Sequence, residues 1–234
     1  MQAFDFPYDK FNFKSDAILD GLPEEEFNLI SANSVAHIYK KGEILFREGS
    51  YPTGVYYIKE GKVKKYKTDK DGKEQIFYIC KNGELLGYHA LLSEEKYADS
   101  SATLEESTIG FIPKEDFLKA LQVSSILANR ILKCMSHEFG VLVNEITVFA
   151  QRSVRERLAL CLILLREKYK KEDEIKKPVE LDISRDDLAK FVGTARETLV
   201  RLLRDLKEEG LIETKGRKII LKQSDKISKI ANLS

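Results

Sequence analysis

Residues 184–206 read SRDDLAKFVGTARETLVRLLRDL, and this stretch constrains the fold more than any other part of the chain. Ser184 stands where it can cap a first helix whose inner face carries Leu188, Ala189 and Val192, because a serine side chain accepts from the unpaired N–H groups of a first turn. Gly193 can supply the tight turn that follows, since glycine enters the left-handed region without a steric penalty. Thr194 then falls at the cap of a second helix, with Leu199, Leu202, Leu203 and Leu206 on its inner face. The pattern predicts a helix-turn-helix. Arg196, Glu197 and Arg201 project from the start of the second helix, on the side away from the leucines. A helix of this kind fits the major groove of double-stranded DNA, with its N-terminal residues against base edges.

Net charge does not announce such a partner. The chain of 234 residues carries 39 Lys+Arg against 38 Asp+Glu, a formal charge of +1. Within 179–222 there are 10 Lys+Arg and 9 Asp+Glu, again +1, so the inference rests on where the charges sit. The length suits one large domain or two modest ones, and a 43% hydrophobic fraction is ample for packed cores. No apolar run approaches the ~20 residues that span a bilayer. The longest candidate, LALCLILL at 158–165, is too short and reads as part of a charged amphipathic helix. The opening MQAFDFPYDK lacks a signal-peptide core, so the expected location is cytoplasmic, with no membrane partner. Cys80, Cys134 and Cys161 are odd in number, widely spaced and form no C-x-x-C, which argues against a disulfide framework. Cys161, in an apolar helix, reads as a buried thiol.

Three textures follow one another. Residues 15–34 look like a helical lead-in. From about 37 to 112 short β-like runs alternate with glycines: GEILFREG, VYYIKEGKVKKYKT, EQIFYICKNGELLG and SATLEESTIGFIP. Many short strands with regular turn signals predict a barrel or jelly roll, and DKDGK at 69–73 has the D-G signature of a hairpin. From about 114 to 150 the period becomes helical. Leu132, Met135, Phe139, Leu142, Ile146 and Phe149 recur at spacings of 3 and 4, a heptad seam that predicts a homodimer interface. A helix packed only on its own β-roll would also need an apolar stripe, and Ile131, Cys134, Val141 and Val148 offer one on an adjoining face. Residues 151–170 form another helix, VELDI at 179–183 a strand, and LIETKGRKIIL at 211–221 two strands around a Lys-Gly turn, the wing of a winged helix. The domain organisation expected is a sensor roll at 1–122, a dimerisation helix at 123–150 and a DNA-binding unit at 151–234.

This succession resembles the cyclic-AMP receptor/FNR (Crp/Fnr) family of bacterial transcription regulators. The most specific stretch is FVGTARETLVRLLRDLKEEGLI at 191–212, and GVYYIKEGKV at 54–63 and GELLGYHALL at 83–92 resemble the family's β-roll signatures. The resemblance spans roughly residues 15–222 and implies an α+β fold: a cyclic-nucleotide-binding-like β-roll (jelly roll), a long dimerisation helix and a C-terminal winged helix-turn-helix. It implies a non-enzymatic regulator and places Arg196, Glu197 and Arg201 at the base-reading positions of the R-E-x-x-x-R branch. Arginine reaches guanine O6 and N7 with two hydrogen bonds, and a carboxylate accepts from cytosine N4. T-A-R-E also reads as a capping box with Thr194 at the cap and Glu197 three residues on, so Glu197 has two competing roles. Thr194, Arg185, Lys215 and Arg217 are candidates for phosphate contacts, which position without specifying. A dimer would set two recognition helices ~34 Å apart on a palindrome. In the R-E-x-x-x-R branch the half-site is TGTGA-like.

The same resemblance marks what the roll lacks. In the family a Gly-Glu pair and, some ten residues on, an Arg-Ser pair hold the cyclic nucleotide. Here the glycine aligns with Gly87, Tyr88 replaces the Glu, and Ala98 and Asp99 replace Arg and Ser. Leu142 and Val143 replace the polar pair that contacts adenine. These departures predict no cyclic-AMP binding, and the absence of a cysteine before Cys80 excludes the family's iron–sulfur sensor. No cofactor is therefore expected. Haem stays open as an alternative through His89 or Cys80, as does another small molecule in an aromatic and apolar pocket of Tyr88, Tyr97, Leu142 and Val143. His37, His89 and His137 are scattered, with no H-x-H or carboxylate grouping, so a cupin-like metal enzyme joined to a DNA-binding domain gains little support and no metal site is expected. The hairpin tip 67–73 and the loop 168–178 correspond to surfaces through which the family touches RNA polymerase, and both are rich in lysine here.

Overall fold

The computed structural model of the chain describes residues 6–170 and 178–232. The loop at 168–178 therefore falls largely outside the described residues. Two short 3-10 turns, Tyr8–Phe11 and Ser15–Ile18, and helix α1 (Glu24–Ser31) precede the strands. These are β1 (Val35–Tyr39), β2 (Ile44–Phe46), β3 (Gly54–Glu60), β4 (Val63–Thr68), β5 (Glu74–Cys80) and β6 (Leu85–Leu86). Helix α2 (Tyr88–Ser93) separates them from β7 (Ser100–Thr103) and β8 (Ser107–Pro113). The strands form two four-stranded sheets, ordered β1-β8-β3-β6 and β2-β7-β4-β5, with antiparallel pairings such as Ile58 opposite Ile109 and Val63 opposite Thr103. Side chains from both sheets share one core: Leu45, Phe46, Ile58, Val63, Tyr78, Cys80, Leu86 and Ile109. The jelly roll is thus present, and α2 is an element that the glycine-punctuated pattern does not announce.

Helix α3 (Lys114–Val123) follows β8, and α4 (Ser125–Gln151) follows α3. The helical period over 114–150 is broken once, at Ser124, whose backbone is extended. Its hydroxyl accepts from the Leu127 N–H at 2.9 Å, as a cap does at a helix start. One face of α4 is buried through Leu127, Ile131, Cys134, Glu138, Val141 and Val148. Leu132, Phe139, Leu142, Val143, Ile146 and Phe149 lie exposed, with Phe139 72% and Ile146 69% open to solvent. The two apolar stripes read from the sequence are therefore distinct faces of one helix. Met135 departs from its seam: it is half-buried and packs against the roll-side core of Leu91, Phe117 and Ile131.

The C-terminal part contains α5 (Val154–Tyr169), β9 (Glu180–Asp182), α6 (Arg185–Val192), α7 (Arg196–Glu208), β10 (Ile212–Lys215), β11 (Lys218–Leu221) and α8 (Ser224–Ile230). Ser153 opens α5 with a capping box, its side chain accepting from the Glu156 N–H while Glu156 reaches back to the Ser153 N–H at 2.8 Å. Leu158 to Leu165 are buried without a break, so α5 is not an amphipathic surface helix over this stretch. It is the hydrophobic centre about which the unit is built, as a helix apolar on all sides must be. The three-stranded sheet runs β10-β11-β9, and the β10–β11 hairpin turns at Gly216. Helix α8, also unannounced by the sequence pattern, buries Ile227 and lies against α5.

Two compact units divide the chain. One holds Asn12–Lys73 and Phe77–Val141; the other takes Glu74–Ile76 and the chain from Leu142 on, with the described residues before Asn12. No helix among the described residues is long and apolar enough to cross a membrane.

Candidate functional site

The helix-turn-helix is assembled by burial on one side and by hydrogen bonds at the turn. Leu188, Ala189, Val192, Leu199, Leu203 and Leu206 are buried, each large aliphatic side chain contributing roughly 1.5–3 kcal/mol. Leu202 is only half-buried. Ser184 caps α6, accepting from the Asp187 N–H at 3.0 Å. Gly193 ends α6 at φ 71°, in the left-handed region, and the N–H groups of Gly193 and Thr194 both return to the Ala189 carbonyl, at 2.9 and 3.1 Å. Thr194 is thereby spent on closing α6. The cap of α7 falls one residue later, on Ala195, and no side chain caps it. The expected Thr194–Glu197 capping box does not form, because Glu197 now sits at the second helical position rather than the third.

That one-residue shift leaves Glu197 outside a capping box. Arg196, Glu197 and Arg201 are all exposed on α7, and no hydrogen bond or ion pair among the described residues engages the side chain of Glu197 or Arg201. Arg196 Nε lies 3.5 Å from Asp186 Oδ1, an exposed pair worth little in water and easily exchanged for another acceptor. Leucines pack inward while two guanidinium groups and a carboxylate face outward at the N-terminal end. This arrangement can donate to guanine and accept from cytosine.

The residues expected to touch phosphate behave differently from one another. Arg185 donates from Nη1 to the Arg217 carbonyl at 2.8 Å and from Nη2 to the Gly216 carbonyl at 3.3 Å, so it ties the start of α6 to the wing turn. Partial burial lowers its pKa. Arg217 is paired with Asp182 at the β9 end. Lys215 is exposed on the wing, 3.9 Å from Glu213, and Thr194 is half-buried in the turn. The structure brings Arg185, Lys215 and Arg217 together at the wing tip.

A support for this unit escaped the sequence reading. Arg157, on α5, donates from Nε to the Val192 carbonyl at 3.0 Å, from Nη2 to the Gly193 carbonyl at 3.1 Å and from Nη1 to the Arg152 carbonyl at 2.9 Å. Its guanidinium lies 5.5 Å from the centre of the Phe149 ring. A cation holding the last carbonyls of α6 complements the helix dipole as well as its unpaired acceptors.

In the roll, the stretch expected to be a degenerate nucleotide cassette carries polar groups that bond to others of the chain. Gly87 starts α2 at φ 84°, and a Cβ there would stand 3.2 Å from the Tyr97 hydroxyl. Tyr88, buried at the second cassette position, donates to Glu138 Oε1 at 2.5 Å, and His89 Nε2 contacts Glu138 Oε2. Ala98 is exposed, and Asp99 lies 3.6 Å from Lys65 Nζ. Lys65 is buried beside the rings of Phe13 and Phe77, each 5.5 Å from its ammonium. Phe13 stacks on Tyr78 at 3.8 Å between centroids, and its N–H donates to the Tyr78 hydroxyl at 2.9 Å, so its side chain fills space in the core of the roll.

Burial pushes the Lys65 ammonium down, but Asp99, Cys80 and Glu138 outweigh it, and its pKa ends above the ordinary lysine value. Burial pushes Glu138 up, but the hydrogen bond and charge of His89, the charge of Lys65 and the Tyr88 hydroxyl together hold it below the ordinary carboxylate range. Burial raises Tyr88 and Tyr97, and raises the Cys134 thiol to about 12. Leu142 and Val143, grouped with this pocket by resemblance, are exposed on α4. Lys65 and Glu138 were not among the expected residues, yet each carried a signal. Lys65 alternates with Val63 on the inward side of β4, and Glu138 falls between Cys134 and Val141 on the buried stripe of α4.

Cys80, Cys134 and Cys161 are buried thiols. No group of three or more His, Cys, Asp or Glu placed to hold a metal ion occurs among the described residues.

Comparison with known proteins agrees with both halves. The cyclic nucleotide-binding domain family matches residues 36–124, and the Crp-like helix-turn-helix domain family matches residues 156–230. The chain is 25% identical over 219 residues to the cyclic AMP receptor protein of Thermus thermophilus, covering 93% of this chain and 98% of that protein. It is 29% identical over 208 residues to the anaerobic regulatory protein of Bacillus subtilis, covering 88% and 87%. Among solved structures, FixK2 of Bradyrhizobium japonicum shares the fold with a TM-score of 0.74 at 20% identity, covering 84% of this chain and 96% of that one. A cyclic-nucleotide-type roll joined to a Crp-like helix-turn-helix defines a DNA-binding transcription regulator. The chain belongs to the Crp/Fnr family of such regulators.

Proposed function

We propose that the protein regulates transcription as a homodimer that reads a palindromic operator, and that it does so without cyclic AMP. The observation that carries the reading is the outward triplet of Arg196, Glu197 and Arg201 on α7, with Glu197 released from capping duty. The two guanidinium groups read guanines and the carboxylate reads a cytosine, each good bidentate contact discriminating by ~1–3 kcal/mol. Lys215 on the wing and Thr194 at the turn contact flanking phosphates, and Arg185 and Arg217 brace the wing that presents them. The exposed stripe of Leu132, Phe139, Leu142, Ile146 and Phe149 supports pairing of two copies along α4.

The roll takes no cyclic nucleotide in this reading. Tyr88, which replaces the family's Glu, is bonded to Glu138, and Ala98 and Asp99, which replace its Arg-Ser pair, offer no guanidinium, the Asp99 carboxylate being paired with Lys65 instead. Nor does the reading assign haem: the Nε2 of His89 is engaged by Glu138, and Cys80 is buried.

Selection from a randomised duplex pool with the purified protein tests the proposal. A palindrome with guanine and cytosine at fixed half-site positions is expected, and Arg196→Ala should lose the preference at one of them while remaining dimeric. Unchanged preference in that variant would overturn the recognition assignment. A saturable rise in melting temperature with cyclic AMP would overturn the reading of the roll.

A further inference from the structure

Seven side chains of α7 face outward, and six of them are charged: Arg196, Glu197, Arg201, Arg204, Lys207 and Glu208. The seventh is Val200, 48% exposed. A lone exposed valine on a protein surface needs no explanation. Its place among the others does. At 3.6 residues per turn, successive residues rotate by about 100°. Taking Arg196 as the origin, Lys207 falls at about 20°, Val200 at about 40°, Arg204 at about 80°, Glu197 at about 100° and Arg201 at about 140°. Val200 therefore lies inside the arc that the base-reading residues define, between Arg196 and Glu197 and one turn further along the helix. It also lines a cavity of about 250 Å³ together with Arg185, Leu203, Arg204, Lys207 and Thr214. The floor of this groove is apolar and its rim carries three cations, so its charge suits the edge of a polyanion.

We propose that Val200 is a specificity-determining residue that reads the C5-methyl group of a thymine in each half-site, with Arg204 and Lys207 taking phosphates of the strand beside it. The proposal rests on the DNA-reading function given above. Valine has no donor or acceptor, so it cannot distinguish bases by hydrogen bonding. The thymine methyl is the one apolar mark in the major groove, and apolar side chains recognise it by contact. A β-branched side chain is well suited to this, because its χ1 is nearly fixed in a helix and little freedom remains to be lost on binding.

The test exploits a substitution in the DNA that leaves every hydrogen bond in place. Once the operator has been recovered from the pool, each thymine is replaced in turn by deoxyuridine, which lacks only the methyl group. The wild-type protein is expected to lose about fourfold in affinity at one thymine per half-site, the worth of one buried methyl, and roughly 15-fold when both half-sites are changed. Val200→Ala should bind thymine and uracil operators alike at that position while keeping its guanine and cytosine preferences. Alanine is the better helix former, so α7 is retained in the variant. An operator bound tightly but indifferent to uracil at every position would overturn the role of Val200 and leave the DNA-reading function standing. So would a Val200→Ala protein with undiminished sensitivity to uracil. A pool that yields no preferred sequence would overturn both.

Discussion

The Tyr88 hydroxyl donates to Glu138 Oε1 at 2.5 Å, and this bond ties the first residue of α2 to the buried face of α4. Glu138 is nearly inaccessible, with His89 on its other oxygen. A carboxylate so placed persists only because its lone pairs are satisfied. Tyr88→Phe keeps the ring and removes one donor. The variant should lose about 1.5–3 kcal/mol, the usual worth of a hydrogen bond to a charged group. Urea unfolding followed by fluorescence checks this, and an unchanged midpoint would mean that water replaces the hydroxyl.

The same carboxylate sets an acid dependence. Despite burial, His89, Lys65 and Tyr88 hold Glu138 below its ordinary pKa. A group whose folded pKa is depressed contributes stability that is fully present above its unfolded value, about 4.3, and is lost as pH falls through the lower folded value. Glu138→Gln should therefore be less stable than wild type at neutral pH and show a flatter decline below about pH 4.3. Urea midpoints measured from pH 7 to pH 3 decide it: parallel curves for the two proteins would reject Glu138 as a source of the acid limb.

These bonds also mark where sequence stops being legible. Periodicity sufficed for α6 and α7, because buried leucines at helical spacing and a glycine turn are local signals. It also separated the two faces of α4, since Ile131, Cys134 and Val141 are offset from Leu132, Phe139 and Ile146 by a fixed rotation. It misplaced the cap of α7 by one residue, because whether Thr194 caps α7 or closes α6 depends on which carbonyl its N–H reaches. Lys65 and Asp99 lie 34 positions apart and Tyr88 and Glu138 lie 50 apart, and no local pattern pairs a strand residue with a loop or a helix start with a distant helix. Arg157 reads as one more charge on a helix until its three carbonyl partners are seen.

Arg157 should be more than a surface cation. Its removal leaves the Val192 and Gly193 carbonyls without their donor at the turn between α6 and α7. Arg157→Ala is expected to cost about 1–3 kcal/mol in the C-terminal unit. Hydrogen exchange should quicken at the amides of Val192 to Thr194 before it does elsewhere. Arg157→Lys should rescue little, since a single ammonium cannot serve three carbonyls in a fixed fork. Equal protection in all three proteins would remove Arg157 from the support of the turn.

The exposed face of α4 yields the last prediction. Phe139 and Ile146 are among the most exposed large apolar residues of the described chain, one heptad apart on a helix whose opposite face is already packed. Burial of such side chains against a second copy contributes roughly 1.5–3 kcal/mol for each. Symmetry counts every substitution twice, so a charge placed here acts on both chains at once. Ile146→Asp should shift the chain from dimer to monomer by sedimentation equilibrium, and Phe139→Asp should do the same. Neither touches the buried stripe of Ile131, Cys134 and Val141, so circular dichroism should be unchanged. A monomer carries one recognition helix rather than two and loses the gain of tethering, which for linked sites commonly reaches ~10²–10⁴ in affinity. Operator binding should therefore fall far more steeply for Ile146→Asp than binding to an isolated half-site does. If the variant stays dimeric at micromolar concentration, the pairing surface lies elsewhere, and the exposed stripe must be assigned to another partner.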